Sequence, residues 1–236
     1  MSNGGPAYQQ LADRLRAEIL SGELAPGSRL PAEAELTERL GVSRSTVREA
    51  LRVLASQRLI VTTRGVTGGS FVTAPAAADV QSFLEASFGL MSGGAALSVA
   101  ELLEVRELLE VPAAGLAAQR RNATHLDALR ATIAAVSVPI SQTSPVERFE
   151  ANRDFHLHLA DAAGNRAIAM LVRPTFTVLQ NRYLSDEPNA QEWAKVASDH
   201  EEICAAVEVG DAGAASDAMR RHLGALHDTH RMLGHC

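Results

Sequence analysis

Cysteine is almost missing from this chain: Cys204 and Cys236 are the only two in 236 residues. Two thiols cannot build a disulfide framework, so a reducing, cytoplasmic setting is the expectation. No stretch reaches ~18 uninterrupted apolar residues, the length needed to cross a bilayer, and no membrane partner is expected. The opening MSNGGPAYQQ lacks a basic segment followed by an apolar core and predicts no secretory signal. Intrinsic disorder is excluded by 46% apolar residues and a net charge of only −6, because disordered chains combine low hydrophobicity with high net charge. No internal repeat is present. What remains is a globular chain long enough for one large domain or two modest ones.

Charge and histidine are divided unevenly. Residues 1–75 carry 9 Arg and 7 acidic residues, a balance of +2, while the remainder carries −8. All 8 histidines lie in that acidic remainder. A small, mildly basic, arginine-bearing head before an acidic, histidine-bearing body implies two jobs. The net charge argues weakly against nucleic acid, but what matters for a DNA binder is whether one face of one domain is basic.

In the head, Tyr8, Leu11, Leu15 and Ile19 recur at helical spacing, Gly22 stops that helix, and Pro26-Gly27 makes a turn. Pro31 is expected to open a second helix, since a missing N–H costs nothing in a first turn. That helix runs through Glu33, Leu36 and Leu40 to Gly41, which tolerates positive φ. Ser43 can cap a third helix that buries Val47, Ala50, Leu51 and Leu54. At about 100° per residue, Ser45, Arg48 and Arg52 project away from that stripe. Helix, tight turn and helix with a basic outer face is how a recognition helix meets a major groove. Residues 59–63 and 70–73 then read as two short strands around a tip from Arg64 to Gly69. Spacing alone leaves these arginines equally suited to a solvated face.

The run from Leu24 to Glu33, followed by Leu40-Gly41-Val42-Ser43-Arg44-Ser45-Thr46-Val47-Arg48-Glu49-Ala50-Leu51, closely resembles the N-terminal domain of GntR-family transcriptional regulators. The resemblance covers almost all of residues 8–74 and implies a winged helix-turn-helix that binds double-stranded operator DNA. It implies base or phosphate contacts from Arg44 and Arg48, phosphate contacts from Ser43, Ser45 and Thr46, and added contacts from Arg52 and from Arg64 and Gly65 at the wing. Some fatty-acid-responsive members carry a DNA-contacting Arg where this chain has Ala34, so their operator sequence does not transfer.

Beyond the Ala-Pro stretch at residues 74–78 the sequence reads as all-α, an antiparallel bundle with helices near 79–91, 98–121, 124–137, 145–163, 165–185, 190–209 and 211–233. Pro112 and Pro174 fall inside such stretches and are expected to kink them. The division expected is 1–75 for DNA, 76–97 as linker and connecting helix, and 98–236 for effector binding and dimerisation. Asn152 and His156 are i and i+4 on one helix face, while His200 and His222 belong to two further helices; His158 points elsewhere. Such groups converging can hold Zn²⁺, Ni²⁺ or another borderline divalent ion, although lone helical histidines are more often core or surface residues.

The segment NRDFHLHLADAAGN (152–165), with Asp199-His200 and Arg221-His222 downstream, looks like the FCD ligand-binding domain of the FadR-like GntR branch. That resemblance spans about residues 98–231. It implies a metal bound by Asn152, His156, His200 and His222, with Asn152 standing where the family usually has Asp. It also implies that Arg106 faces the cavity and pairs with a small organic acid; the alternative for Arg106 is a helix-surface salt bridge with Glu110. The function expected is a homodimeric repressor released from its operator by such an acid, and not an enzyme. The competing readings are a metal-dependent hydrolase with Glu201 or Glu202 as base beside His200, for which no HExxH helix is present, and a dimeric architectural DNA binder without effector.

Overall fold

The computed structural model describes residues 5–65, 68–94, 96–183 and 188–232, and their side chains except at 180–183 and 226–232. Val66 and Thr67 of the expected wing tip, and the last residues of the expected helices 165–185 and 211–233, lie outside the described residues. The chain divides into two compact units, residues 1–76 and 77–236.

The first unit is α1 (Ala7–Leu20), α2 (Glu33–Leu40), α3 (Arg44–Ser56) and an antiparallel hairpin of β1 (Ile60–Thr63) and β2 (Gly69–Val72). Leu11, Leu15 and Ile19 of α1 bury against Val47, Leu51 and Leu54 of α3, with Leu36, Ile60 and Val72 closing the core. One boundary differs from expectation. Helix α2 starts at Glu33 with Ala32 as its N-cap, and Pro31 lies before it. The cause is long-range pairing: Leu30 N donates to Ser70 O (2.8 Å) and Val72 N to Ser28 O (2.9 Å), so the chain is still extended on the free edge of β2 as it reaches Pro31. Gly41 takes the left-handed conformation (φ 63°) that ends α2 and turns the chain into α3.

The second unit is all-helical: α4 (Ala77–Gly93), α5 (Val99–Arg120), α6 (Ala123–Val136), α7 (Pro145–Ala162), α8 (Arg166–Tyr183), α9 (Ala190–Val209) and α10 (Ala212–Met232). Residues 77–93, expected as a connector, pack as α4 along α8. Four helix starts are fixed by reciprocal capping boxes, Ser98 with Glu101, Asn122 with His125, Ser144 with Glu147 and Asn189 with Glu192; each satisfies donors that a helix start otherwise leaves unpaired. Helices α5 and α8 continue through Pro112 and Pro174.

Helix α5 is the centre of the bundle, in contact with α7, α8, α9 and α10. Its Val111, Ala114, Ala117 and Ala118 share a core with Phe155, Ile203, Met219 and Leu223. Small residues let α10 come close. A Cβ on Gly115 would stand 2.7 Å from Ser216 Oγ and 3.2 Å from the Ala212 carbonyl.

Candidate nucleic-acid interface and metal centre

Helix α3 begins where Ser43 Oγ accepts from the Thr46 amide (3.1 Å). The Ser45 and Thr46 hydroxyls stand 2.7 Å and 2.8 Å from the same oxygen, so three hydroxyls gather at the N-terminal end of a helix, where the dipole favours an anion. Arg44, Ser45, Arg48 and Arg52 are exposed and Thr46 is half-buried, while Val47, Ala50, Leu51 and Leu54 face the core. Arg52 pairs with Glu49 at 3.3 Å. Arg48 pairs across the motif with Glu33 of α2, Nε to Oε2 at 2.9 Å. The sequence reading treated Glu33 only as a helix position, and no local spacing marks a pair 15 residues apart. Arg64 and Gly65 are exposed beyond β1, and Gly65 has φ 114°.

In the second unit, α7, α9 and α10 bring His156, His200 and His222 together. All three are buried, and one nitrogen from each lies within 4.8 Å of the others. The ring centroids are 5.0 to 5.2 Å apart. His200 stacks on Phe155 at 3.8 Å with the rings 8° from parallel. His158 instead lines a groove between α6 and α7 with Glu147, Glu150 and Asp154.

Hydrogen bonds account for part of this cluster and leave a defined remainder. His156 Nδ1 meets Glu110 Oε2 at 2.5 Å and His222 Nδ1 meets Asp199 Oδ2 at 3.3 Å. A carboxylate behind a ring nitrogen fixes the tautomer and aims the opposite nitrogen forward. Both nitrogens of His200, Nε2 of His222 and Oδ1 of Asn152, one turn before His156 on α7, are buried with no hydrogen-bond partner. Groups so placed cost stability unless something pairs with them. Burial pulls His156 below the ordinary imidazole range against the opposing Glu110 charge, and burial with neighbouring cations pulls His200 well below it. Neutral imidazoles offering lone pairs are the form a metal requires. The three imidazoles therefore fit a divalent metal ion.

Arg106 meets one of its two expectations in part. It does pair with Glu110, Nε to Oε1 at 2.6 Å, but both side chains are only 2% exposed, so the pair is not on the surface. Its Nη2 lies 3.3 Å from His156 Nδ1, and its guanidinium covers Phe176 at 3.9 Å. Burial works to raise Glu110, but Arg106 and His156 together hold its carboxyl low and ionised. The carboxylates behind the imidazoles, Glu110 and Asp199, were not legible as such: each pairing joins different helices, α5 to α7 and α9 to α10. Glu201 and Glu202, named for the hydrolase reading, are exposed, and Glu202 pairs with Arg221; neither is a base beside His200.

A winged helix-turn-helix followed by a helical body with a buried imidazole cluster defines the class: a DNA-binding transcriptional regulator with an all-helical second domain. Residues 7–72 match the model of bacterial regulatory proteins of the gntR family, and residues 101–225 match the FCD domain. The chain is 30% identical over 225 residues to the regulatory protein assigned to the L-lactate dehydrogenase operon of Escherichia coli (strain K12), covering 93% of this chain and 84% of that one. It is also 30% identical over 215 residues to the HTH-type transcriptional regulator LutR of Bacillus subtilis (strain 168), covering 89% and 94%. Among solved structures, a GntR protein of Streptococcus agalactiae superposes with a TM-score of 0.60 at 29% identity, covering 93% of this chain and 98% of that one. The chain belongs to the GntR family, in the branch that carries an FCD domain, and these relatives are transcriptional regulators rather than enzymes. No described helix is long and apolar enough to cross a membrane.

Proposed function

We propose that this regulator is a homodimeric repressor whose helical domain holds zinc or nickel on Asn152, His156, His200 and His222, and which leaves its operator when a small organic acid reaches that ion. The observation that carries the reading is the set of buried donor atoms without partners on Asn152, His200 and His222, with the third imidazole of His156 beside them. One amide oxygen and three neutral imidazoles bring no negative charge. An ion held by them would have no anionic ligand, only the Glu110 and Asp199 carboxylates behind the imidazoles, and would offer an anion its open coordination positions. Arg106 lies against His156 but is paired through Nε and Nη2 with Glu110, so it grips an incoming carboxylate only by exchanging that partner.

In the same reading, residues 1–75 dock on DNA, residues 98–236 sense, and dimerisation involves α4 together with that domain. Arg44 and Arg48 contact bases or phosphates, the hydroxyls of Ser43, Ser45 and Thr46 contact phosphates, and Arg52, Arg64 and Gly65 add flanking contacts. Dimerisation is supported by α4, where Phe83 (70% exposed) and Leu90 (80% exposed) sit seven residues apart on one outward face. An apolar face of that kind calls for a partner, and a second copy would set two recognition helices over successive major grooves. Phe83→Asp with Leu90→Asp yields a monomer by sedimentation velocity if that face is the interface.

The test of the sensor starts from duplexes selected from a random pool by the full-length protein. Their affinity is measured with zinc, nickel or chelator, against a panel of organic acids led by L-lactate, which the name of one relative suggests. The expected result is a metal-dependent loss of affinity of tenfold or more with one acid, a coupling of about 1.4 kcal/mol. Unchanged affinity with every acid overturns the sensor reading and leaves a dimeric DNA binder without effector.

A further inference from the structure

We propose that Glu33 is a positioning residue for DNA specificity: it holds the Arg48 guanidinium so that its outer fork reads one base pair, and its charge weakens binding wherever that base contact is not made to offset it. The inference rests on the reading that Arg48 contacts DNA. Its starting observation is the contact between Arg48 Nε and Glu33 Oε2 at 2.9 Å, which joins the first turn of α2 to the second turn of α3. That bond uses the inner N–H of the guanidinium. The two terminal nitrogens, which can form the bidentate fork for guanine O6 and N7 or for a phosphate, lie outside that bond.

A role in holding the fold together is a poor account of this pair. Its side chains are 66% and 42% exposed, and ion pairs that open to solvent contribute little to stability. The core that joins α2 to α3 is apolar, with Leu36 packed among Val47, Ala50 and Leu51. As a pure affinity device Glu33 is also wrong in sign. A carboxylate beside the recognition helix repels phosphates on every duplex, specific or not, and weakens the salt-dependent part of binding. Those two facts fit a device for discrimination. Orientation of the fork strengthens contact with the right base, and the negative charge penalises every site where Arg48 is drawn to a phosphate instead. Specificity is the difference of the two affinities, and a repulsive element raises it.

The experiment uses the full-length protein with Glu33→Gln, Glu33→Asp, Arg48→Ala and the double variant Glu33→Gln/Arg48→Ala. Each selects from the same random duplex pool, and affinities are then measured on the wild-type consensus and on random duplex across a salt series. Glu33→Gln keeps size and removes charge; circular dichroism and thermal melting check that each variant is folded. With Glu33→Gln, preference at one position per half-site is expected to fall about tenfold, while affinity for random duplex stays level or rises with a steeper salt dependence. Arg48→Ala erases preference at that same position, and adding Glu33→Gln to it costs no further discrimination. Glu33→Asp, with a shorter carboxylate, restores part of the preference.

A Glu33→Gln protein that selects the wild-type consensus with undiminished discrimination overturns the inference while leaving the role of Arg48 intact. So does an equal loss on all duplexes, the signature of a structural role. If Arg48→Ala itself selects and binds as the wild type does, the underlying reading of Arg48 fails, and the inference goes with it.

Discussion

Replacing His200 by phenylalanine is expected to stabilise the metal-free protein and to abolish its response to metal. Neither nitrogen of the buried His200 ring has a hydrogen-bond partner. An unsatisfied buried polar group costs about 1–3 kcal/mol, so the two together cost roughly 2–6 kcal/mol when no ion is bound. Phenylalanine removes both and keeps the parallel stack on Phe155 at 3.8 Å. Its slightly larger ring introduces a packing penalty of about 1–3 kcal/mol. The net gain expected is about 2 kcal/mol, or roughly 4–8 °C in the melting temperature of a unit of this size. The wild type should gain about 2.7 kcal/mol when free zinc or nickel stands at a hundred times its dissociation constant, and the variant nothing. Thermal melting in chelator and in a metal series reads both effects. The reasoning is refuted if the variant melts below the wild type in chelator, or if the wild type melts identically with and without metal.

Other consequences are open to direct measurement. Ser43→Ala removes the side chain that caps α3 and should cost the DNA-binding unit about 1 kcal/mol in denaturant unfolding, with the three-hydroxyl cluster lost at the same time. Arg44→Ala should weaken binding to selected duplexes and lower the slope of log affinity against log salt by about 1 if it meets a phosphate; an unchanged slope and affinity would remove it from the interface. Glu147 has its carboxyl held below the usual range by the Ser144 amide and hydroxyl. A depressed acid contributes stability that is present above its unfolded pKa and lost as pH falls through its folded one. Glu147→Gln should therefore flatten the acid limb of the stability curve, and an unaltered limb would show that the box contributes nothing there.

What could be read in advance follows from how local each signal is. The helix-turn-helix is written in short-range features: the apolar spacing of Val47, Ala50 and Leu54, the left-handed turn at Gly41 and the cap at Ser43 all act within a few residues. Pro31 misleads because the strand pairing of Leu30 with Ser70 comes from a segment forty residues away. In the bundle, the helix face shared by Asn152 and His156 is a matter of periodicity, and likeness to the FCD domain pointed to His200 and His222. Glu110 and Asp199 escaped because each supports an imidazole on a neighbouring helix, and no spacing encodes which helices will lie side by side. Arg106 was legible as to its partner but not its burial, since i to i+4 pairing is the same on a wet face as on a dry one.

The close crossing of α5 and α10 at Gly115 and Ser216 reaches further than local packing. Arg106 and Glu110 belong to one of these rods and His222 to the other, so the spacing at the crossing bears on how these groups face the imidazole cluster. A single methyl at Gly115 would press on Ser216 Oγ and the Ala212 carbonyl, so the helix spacing is set by the absence of that side chain. In the proposed reading, the sensor is open to tuning from a position remote from every group that would bind the acid.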